Sequence, residues 1–224
     1  MELLDQSLGH LACTITGATG VFHEYQLDFC CSGNRLLRDA AHDKGLDGQE
    51  IARRLQGLQK ITDSGERDWT QASAGELIDH ILERFHARHR EQFPELIRLA
   101  RRVEQVHEAH EDCPAGLADH LCGMQQALES HMQKEELILF PMLRRGGAAM
   151  AGGPIGVMRL EHHQHGEALE RLAELTNNLM LPQSACNTWR ALYRELQTLR
   201  EDLMEHIHLE NNILFESVQH ATAH

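Results

Sequence analysis

The sequence predicts an all-α chain, with an antiparallel four-helix bundle preceded by a small helical N-terminal domain. Three observations point there. Aromatic residues make up only 4% of the chain, so packing must rest on Leu, Ile, Ala and Met, which favour helices. Long stretches repeat apolar residues at three- and four-residue steps. Short breaks rich in Gly, Pro and polar residues separate them, as antiparallel neighbours require.

Residues 1–58 read as the small helical domain, which carries a Cys-Cys pair. Leu36, Leu37, Ala40 and Ala41 lie before the break Lys44-Gly45-Leu46-Asp47-Gly48, and Ile51, Leu55 and Leu58 after it. This predicts two short helices around a turn. Residues 59–72 are polar and aperiodic and read as a linker; residues 73–224 are assigned to the bundle. Its first helix opens on Ser73-Ala74-Gly75-Glu76, which has capping-box form. Leu77, Ile78, Ile81, Leu82, Phe85, His89, Gln92 and Phe93 carry it on, and Pro94 predicts a kink before an end near Val106. The second helix should run from Leu117 to Arg145, where Gly146-Gly147 stops it. Residues 146–153 read as a flexible loop. Pro154 suits the first position of a third helix reaching Asn178, and the fourth should span Ser184 to Val218.

Charge narrows the function. With 21 basic and 34 acidic side chains the net charge is −13, without the basic field a nucleic-acid binder or an anionic-membrane binder needs. No apolar run approaches the roughly 20 residues that span a bilayer. Met1-Glu2-Leu3-Leu4-Asp5 has neither the basic nor the apolar stretch of a secretory signal. The six cysteines are too sparse for a disulfide-stapled domain, so a reducing cytoplasm is expected. Histidine is abundant, at 17 residues, and makes metal binding the leading question.

An internal repeat answers it. Residues 129–140 (ESHMQKEELILF) align with residues 204–215 (MEHIHLENNILF), pairing His131 with His206 and Glu135 with Glu210 at an offset of 75. Residues 86–91 (HARHRE) align with 162–167 (HHQHGE) at an offset of 76. Two hairpins therefore each supply one His on the first helix and His-x-x-x-Glu on the second. Residues four apart share a helix face, so each His–Glu pair can address one centre. Alone, such a pair is ordinarily a solvated surface contact; duplication with matched first-helix histidines argues otherwise. Four imidazoles and two carboxylates exceed the needs of one tetrahedral zinc and suit two metals, each with two His and both bridged by the Glu residues. That donor set is an iron or manganese environment, with positions open for oxo, hydroxo, dioxygen or nitric oxide.

Other residues keep two readings. His89 and His165 also repeat, and are either supports behind the ligands or partly buried surface residues. Glu161 precedes His162 and is a candidate for steering protons. Cys30 and Cys31 are either unremarkable thiols or a reactive, metal-handling pair, activated if Gly33 opens onto a helix N-terminus. Exposed, the pair would equally support a homodimer.

The stretches DFCCSGN, IDHILERFHARHRE, HMQKEELILFPML, MRLEHHQHGE and DLMEHIHLENNILF resemble the bacterial RIC (repair of iron centres) family over essentially the whole chain. The resemblance implies a hemerythrin-like bundle holding a non-haem di-iron centre, with two Fe ions bridged by oxo or hydroxo. Its ligands fall on His86, His131, Glu135, His162, His206 and Glu210, and its N-terminal cysteines on Cys30 and Cys31. It also implies a cytoplasmic protein of nitrosative or oxidative stress that restores damaged iron–sulfur proteins, by iron donation, or interacts with NO. Oxygen-carrying hemerythrins add a His where this chain has Gly166, which favours iron lability or NO chemistry unless His165 substitutes. The rival readings are an NO or oxygen scavenger or sensor using the same centre, and an enzyme reducing NO there.

Overall fold

The computed structural model describes residues 2–59 and 68–222; of the expected linker, residues 60–67 lie outside the described residues. Its secondary structure is helical, apart from one isolated antiparallel bridge between Ser7 and Leu36. Four short helices come first: α1 (Leu8–Thr14), α2 (Ala18–Glu24), α3 (Leu37–Asp43) and α4 (Gly48–Gln59). Gly45, at φ 66°, makes the expected turn between the last two, and the Asp47 carboxylate accepts from the Gln49 backbone N–H at 2.9 Å to start α4.

Four long rods follow. The first joins α5 (Ala74–His80), a π-helical turn (Ile81–His86) and α6 (Ala87–Val106). Ser73 and Glu76 cap it reciprocally, the Ser73 N–H donating to Glu76 at 3.0 Å and the Glu76 N–H to Ser73 Oγ at 3.3 Å. The second joins α7 (Leu117–Lys134), a π-helical turn (Glu135–Leu139) and α8 (Phe140–Arg144). It ends in a Schellman motif, with Gly146, at φ 76°, bonding back to Leu143 O and Gly147 to Met142 O. The third is α9 (Gly152–Leu175). The fourth joins α10 (Asn187–Leu209), a π-helical turn (Glu210–Leu214) and α11 (Phe215–Thr222).

Three details differ from expectation. Hydrophobic periodicity reads the rods as continuous α-helix and gave no sign of the π turns, each of which is confined to a single turn. The stretch 146–153 is not an open loop: Ala148–Met150 form a 3₁₀ turn, and α9 starts at Gly152, which leaves Pro154 in the first turn, where no intrahelical N–H is needed. Finally, α9 stops at Leu175, because Asn177 adopts φ 48° and Asn178 bonds to Ala173 O at 2.7 Å.

The chain forms two compact units, Met1–Leu77 with Met204–His224, and Ile78–Leu203. In the second, α6 packs on α7 and α7 on α9. Arg90–Glu129 and the Ala118 N–H to Glu104 contact give α6 and α7 opposite directions. Arg84 and Gln92 of the first rod reach Asp202 in the last third of α10, while His107, just past the end of the first rod, meets Cys186 and Trp189 at the start of α10. Its apolar core includes Leu96, Ala100, Leu121, Leu128, Phe140, Leu172, Trp189, Leu192 and Leu196. The first unit buries Leu8, Leu11, Phe22, Phe29, Leu37, Ile51 and Leu55 with Leu214 and Phe215. No described helix is long and apolar enough to cross a membrane.

Candidate metal centre

In the unit Ile78–Leu203, four of the expected ligands meet inside the bundle. His86, His131, Glu135 and His162 are each at most 1% exposed. Glu135 presents one oxygen to each of two imidazoles: Oε1 lies 3.4 Å from His131 Nε2 and Oε2 3.4 Å from His86 Nε2. His162 Nε2 stands 3.1 Å from His131 Nε2. Atoms bound at about 2.1 Å to one ion, at octahedral to tetrahedral angles, stand about 3.0–3.4 Å apart. The observed spacings fall there, and imidazole nitrogens grouped with a carboxylate are donors that such an ion takes.

The outward nitrogens explain why the inward ones face the centre. His86 Nδ1 lies 2.8 Å from Glu136 Oε1, and His131 Nδ1 lies 3.0 Å from Glu161 Oε2. Each Nδ1–H donates to a carboxylate, which turns the lone pair of Nε2 inward and makes the ring a better ligand. Burial pushes the Glu136 carboxyl up, but Arg90 and His86 outweigh it and hold it below the ordinary range. Glu161 behaves alike, with Lys134 and His131 outweighing its burial. Both acceptors thus stay ionised, each tied to a basic side chain, Arg90 at 2.9 Å and Lys134.

In the other unit, His206 Nε2 and Glu210 Oε1 lie 3.1 Å apart, and both residues are fully buried. Glu210 opens a π turn in the same way as Glu135. In both copies the carbonyl of the Glu accepts from the N–H of the Phe five residues on, Phe140 or Phe215. Helical bulges of this kind concentrate at functional sites.

Comparison with known proteins agrees with this geometry. Residues 77–218 match the hemerythrin HHE cation binding domain, and residues 4–59 match ScdA_N, described as a domain of unknown function (DUF542). A "Probable iron-sulfur cluster repair protein" of Haemophilus influenzae is 50% identical over 97% of this chain and 98% of the relative. The "Iron-sulfur cluster repair protein YtfE" of Dickeya chrysanthemi is 52% identical over 96% of this chain and 97% of its own, and that of Pectobacterium atrosepticum 50% over the same shares. The chain belongs to the RIC family.

Cys30 and Cys31 lie in the loop between α2 and α3. They bring their thiol Sγ atoms within 3.6 Å of each other without a disulfide bond. Asp28 Oδ1 accepts from the Cys31 N–H at 2.9 Å and from Cys30 Sγ at 3.3 Å. The neighbouring Cys31, burial and Asp28 together push the Cys30 thiol well above its ordinary range. The activation expected through Gly33 does not arise, because α3 begins only at Leu37 and the Gly33 carbonyl accepts from Gly9 N–H at 2.7 Å. Cys30 is 3% exposed and Cys31 is half-buried.

Two asparagines following Glu210 hold this loop. Asn211 Nδ2 donates to Cys30 O at 3.0 Å, and Asn212 Nδ2 to Phe29 O at 3.2 Å. The second Asn212 amide hydrogen faces His208 Nδ1 at 2.9 Å. Burial pulls the His208 imidazole down to about 4, so the ring is neutral and carries its proton on Nε2, 3.8 Å from Cys13 Sγ.

The remaining expectations divide. Glu161 orients His131, as described. His165 is buried with its ring edge-on to His131 at 5.1 Å, but it does not join the described groups of ligand atoms within 4.8 Å. His89 is fully buried; its Nδ1 meets Gln92 Oε1 at 3.3 Å, and Gln92 Nε2 donates to Asp202 at 2.9 Å. Sequence reasoning passed over Glu136, Asp28, Asn211 and Asn212. For Glu136, Asn211 and Asn212 the signal lay in the repeat, whose two copies part at 136–137 and 211–212; Asp28 lies outside the repeat.

Proposed function

We propose that this chain is a cytoplasmic di-iron protein that takes part in repairing iron–sulfur clusters damaged by nitrosative or oxidative stress, with damaged iron–sulfur proteins as its clients. A Cys-bearing module (1–58), a linker (59–72) and a hemerythrin-like bundle (73–224) divide the work. His86, His131, Glu135, His162, His206 and Glu210 hold two irons, with Glu135 and Glu210 bridging. The observation that carries this reading is Glu135, one carboxylate addressed to two separate imidazoles. The repeat gives Glu210 the same place in its own copy, the HHE match covers both copies, and the relatives' names supply the repair role.

Bound iron would supply redox change and coordination positions for a small ligand. The protein's share is to set the ligands. Glu136 and Glu161 keep the imidazole Nδ1 protons in place, Arg90 and Lys134 keep those carboxylates charged, and the buried walls exclude competing water. Iron held by few carboxylates and neutral rings can be surrendered when those rings are protonated, which suits donation.

Purified protein should contain about two irons per chain, and His131→Ala and Glu210→Ala should each abolish loading. Unchanged iron in both variants would overturn the assignment. A second reading, binding of NO or oxygen at the same centre, draws on Gly166 and on His165 packing beside His131 rather than with the ligand atoms. Stoichiometric NO binding by the reduced protein, without rescue of a damaged cluster enzyme, would favour that reading.

A further inference from the structure

The loop of the first unit carries a donor set that the His/Glu centre does not use. Adjacent side chains on an extended strand point to opposite sides. Here Cys30 and Cys31 bring their sulfurs to 3.6 Å of one another, and Asp28 Oδ1 lies 3.3 Å from Cys30 Sγ. All three ligand atoms fall within 4.8 Å of each other.

The backbone is fixed in this form from several directions. Asp28 accepts the Cys31 N–H, Asn211 and Asn212 hold the Cys30 and Phe29 carbonyls, and Gly9 binds the Gly33 carbonyl. Gly33 is required for the fit: a Cβ there would stand 2.6 Å from Asn212 Oδ1 and 2.8 Å from Phe29 O. The donors are therefore preorganised by Asp28 within the set and by Asn211, Asn212 and Gly9 outside it.

The spacing is that of a coordination polyhedron. Two thiolates bound at about 2.3 Å to one tetrahedral ion stand about 3.8 Å apart, and a thiolate and a carboxylate oxygen about 3.6 Å. The observed 3.6 and 3.3 Å need only a few tenths of an ångström of movement. We propose that Asp28, Cys30 and Cys31 form a second metal site, a three-ligand seat for a thiophilic divalent cation of the zinc and ferrous class, with the fourth position open. Two sulfurs and one oxygen select against magnesium and calcium, and distinguish the seat from the imidazole–carboxylate centre. Binding forms two metal–sulfur bonds and one metal–oxygen bond. Each thiol gives its proton to solvent, so two protons leave per ion and no redox change occurs.

The test uses the full-length, iron-loaded protein with reduced thiols, titrated with Co(II). The expected result is a near-ultraviolet thiolate-to-cobalt band that saturates at one equivalent per chain, with two protons released. Cys30→Ser and Cys31→Ser should each lose the band, Asp28→Asn should weaken binding roughly tenfold or more, and Cys122→Ser should change nothing. In the unsubstituted protein, Zn(II) should protect Cys31 from alkylation, a readout that needs no variant to fold. Absence of the band or of protection overturns the site. So does a band that persists in Cys30→Ser or disappears in Cys122→Ser, and full-strength binding by Asp28→Asn overturns the three-ligand set.

Discussion

The two copies of the repeat are alike at their His–Glu pairs and unlike one residue later. Residues 131–140 and 206–215 both place His and Glu one turn apart, both open a π turn at the Glu, and both close it with a Phe N–H. Leu139 and Phe140 are as buried as Leu214 and Phe215. At the next two positions the copies part. The first has Glu136, which orients His86, and Leu137, which is 75% exposed. The second has Asn211 and Asn212, which grip the cysteine loop. The face that carries the proposed ligands is the same in both copies; the adjacent face differs and has a local task in each.

Substitutions can break or sharpen this contrast. The largest effect belongs to the shared face. Glu135→Ala and Glu210→Ala should each remove both irons if the carboxylates are equivalent bridges, as iron analysis would read; loss of one iron in either variant would break the equivalence. Next come the groups behind the ligands. Glu136→Ala and Glu161→Ala should lower iron affinity by roughly 10–100-fold, measured by competition with a chelator. Gly33→Ala should then destabilise the protein by about 1–3 kcal/mol in thermal or denaturant unfolding, because its Cβ would collide with Asn212 and with Phe29 O. Asn212→Ala should cost about 1–3 kcal/mol by leaving Phe29 O without its amide donor, with little effect on iron loading. At the matching position of the other copy, Leu137→Asn should stay within about 0.5 kcal/mol, since that side chain is exposed.

Much of the candidate centre was legible because an internal repeat is visible in one sequence. The offsets of 75 and 76 picked out six residues from 17 histidines and 34 acids, and four of the six meet within one unit while the other two meet in their own. Helix ends marked by Ser73 and Gly146 were legible for the same kind of reason, since each carries a local chemical signal. What stayed hidden has no periodic signature. Glu136 sits beside a ligand, off the four-residue ladder, and reaches His86 on another helix. The burial of His89 depends on Gln92 and Asp202, a contact across 110 residues of sequence. The asparagine pair broke the repeat and could have been read as a clue, but its partners are backbone carbonyls, which every residue offers.

The π turn after Glu210 makes spacing as important as identity. Each residue advances a helix by roughly 100°, so deleting one position between Glu210 and Phe215 would swing whatever follows by more than a quarter turn. Residue-by-residue variation is tolerable along this stretch only while its length stays constant. The same five-residue interval after Glu135 puts the other copy under an identical restriction, so insertions and deletions in natural variants should spare both intervals and gather instead in the connections between rods.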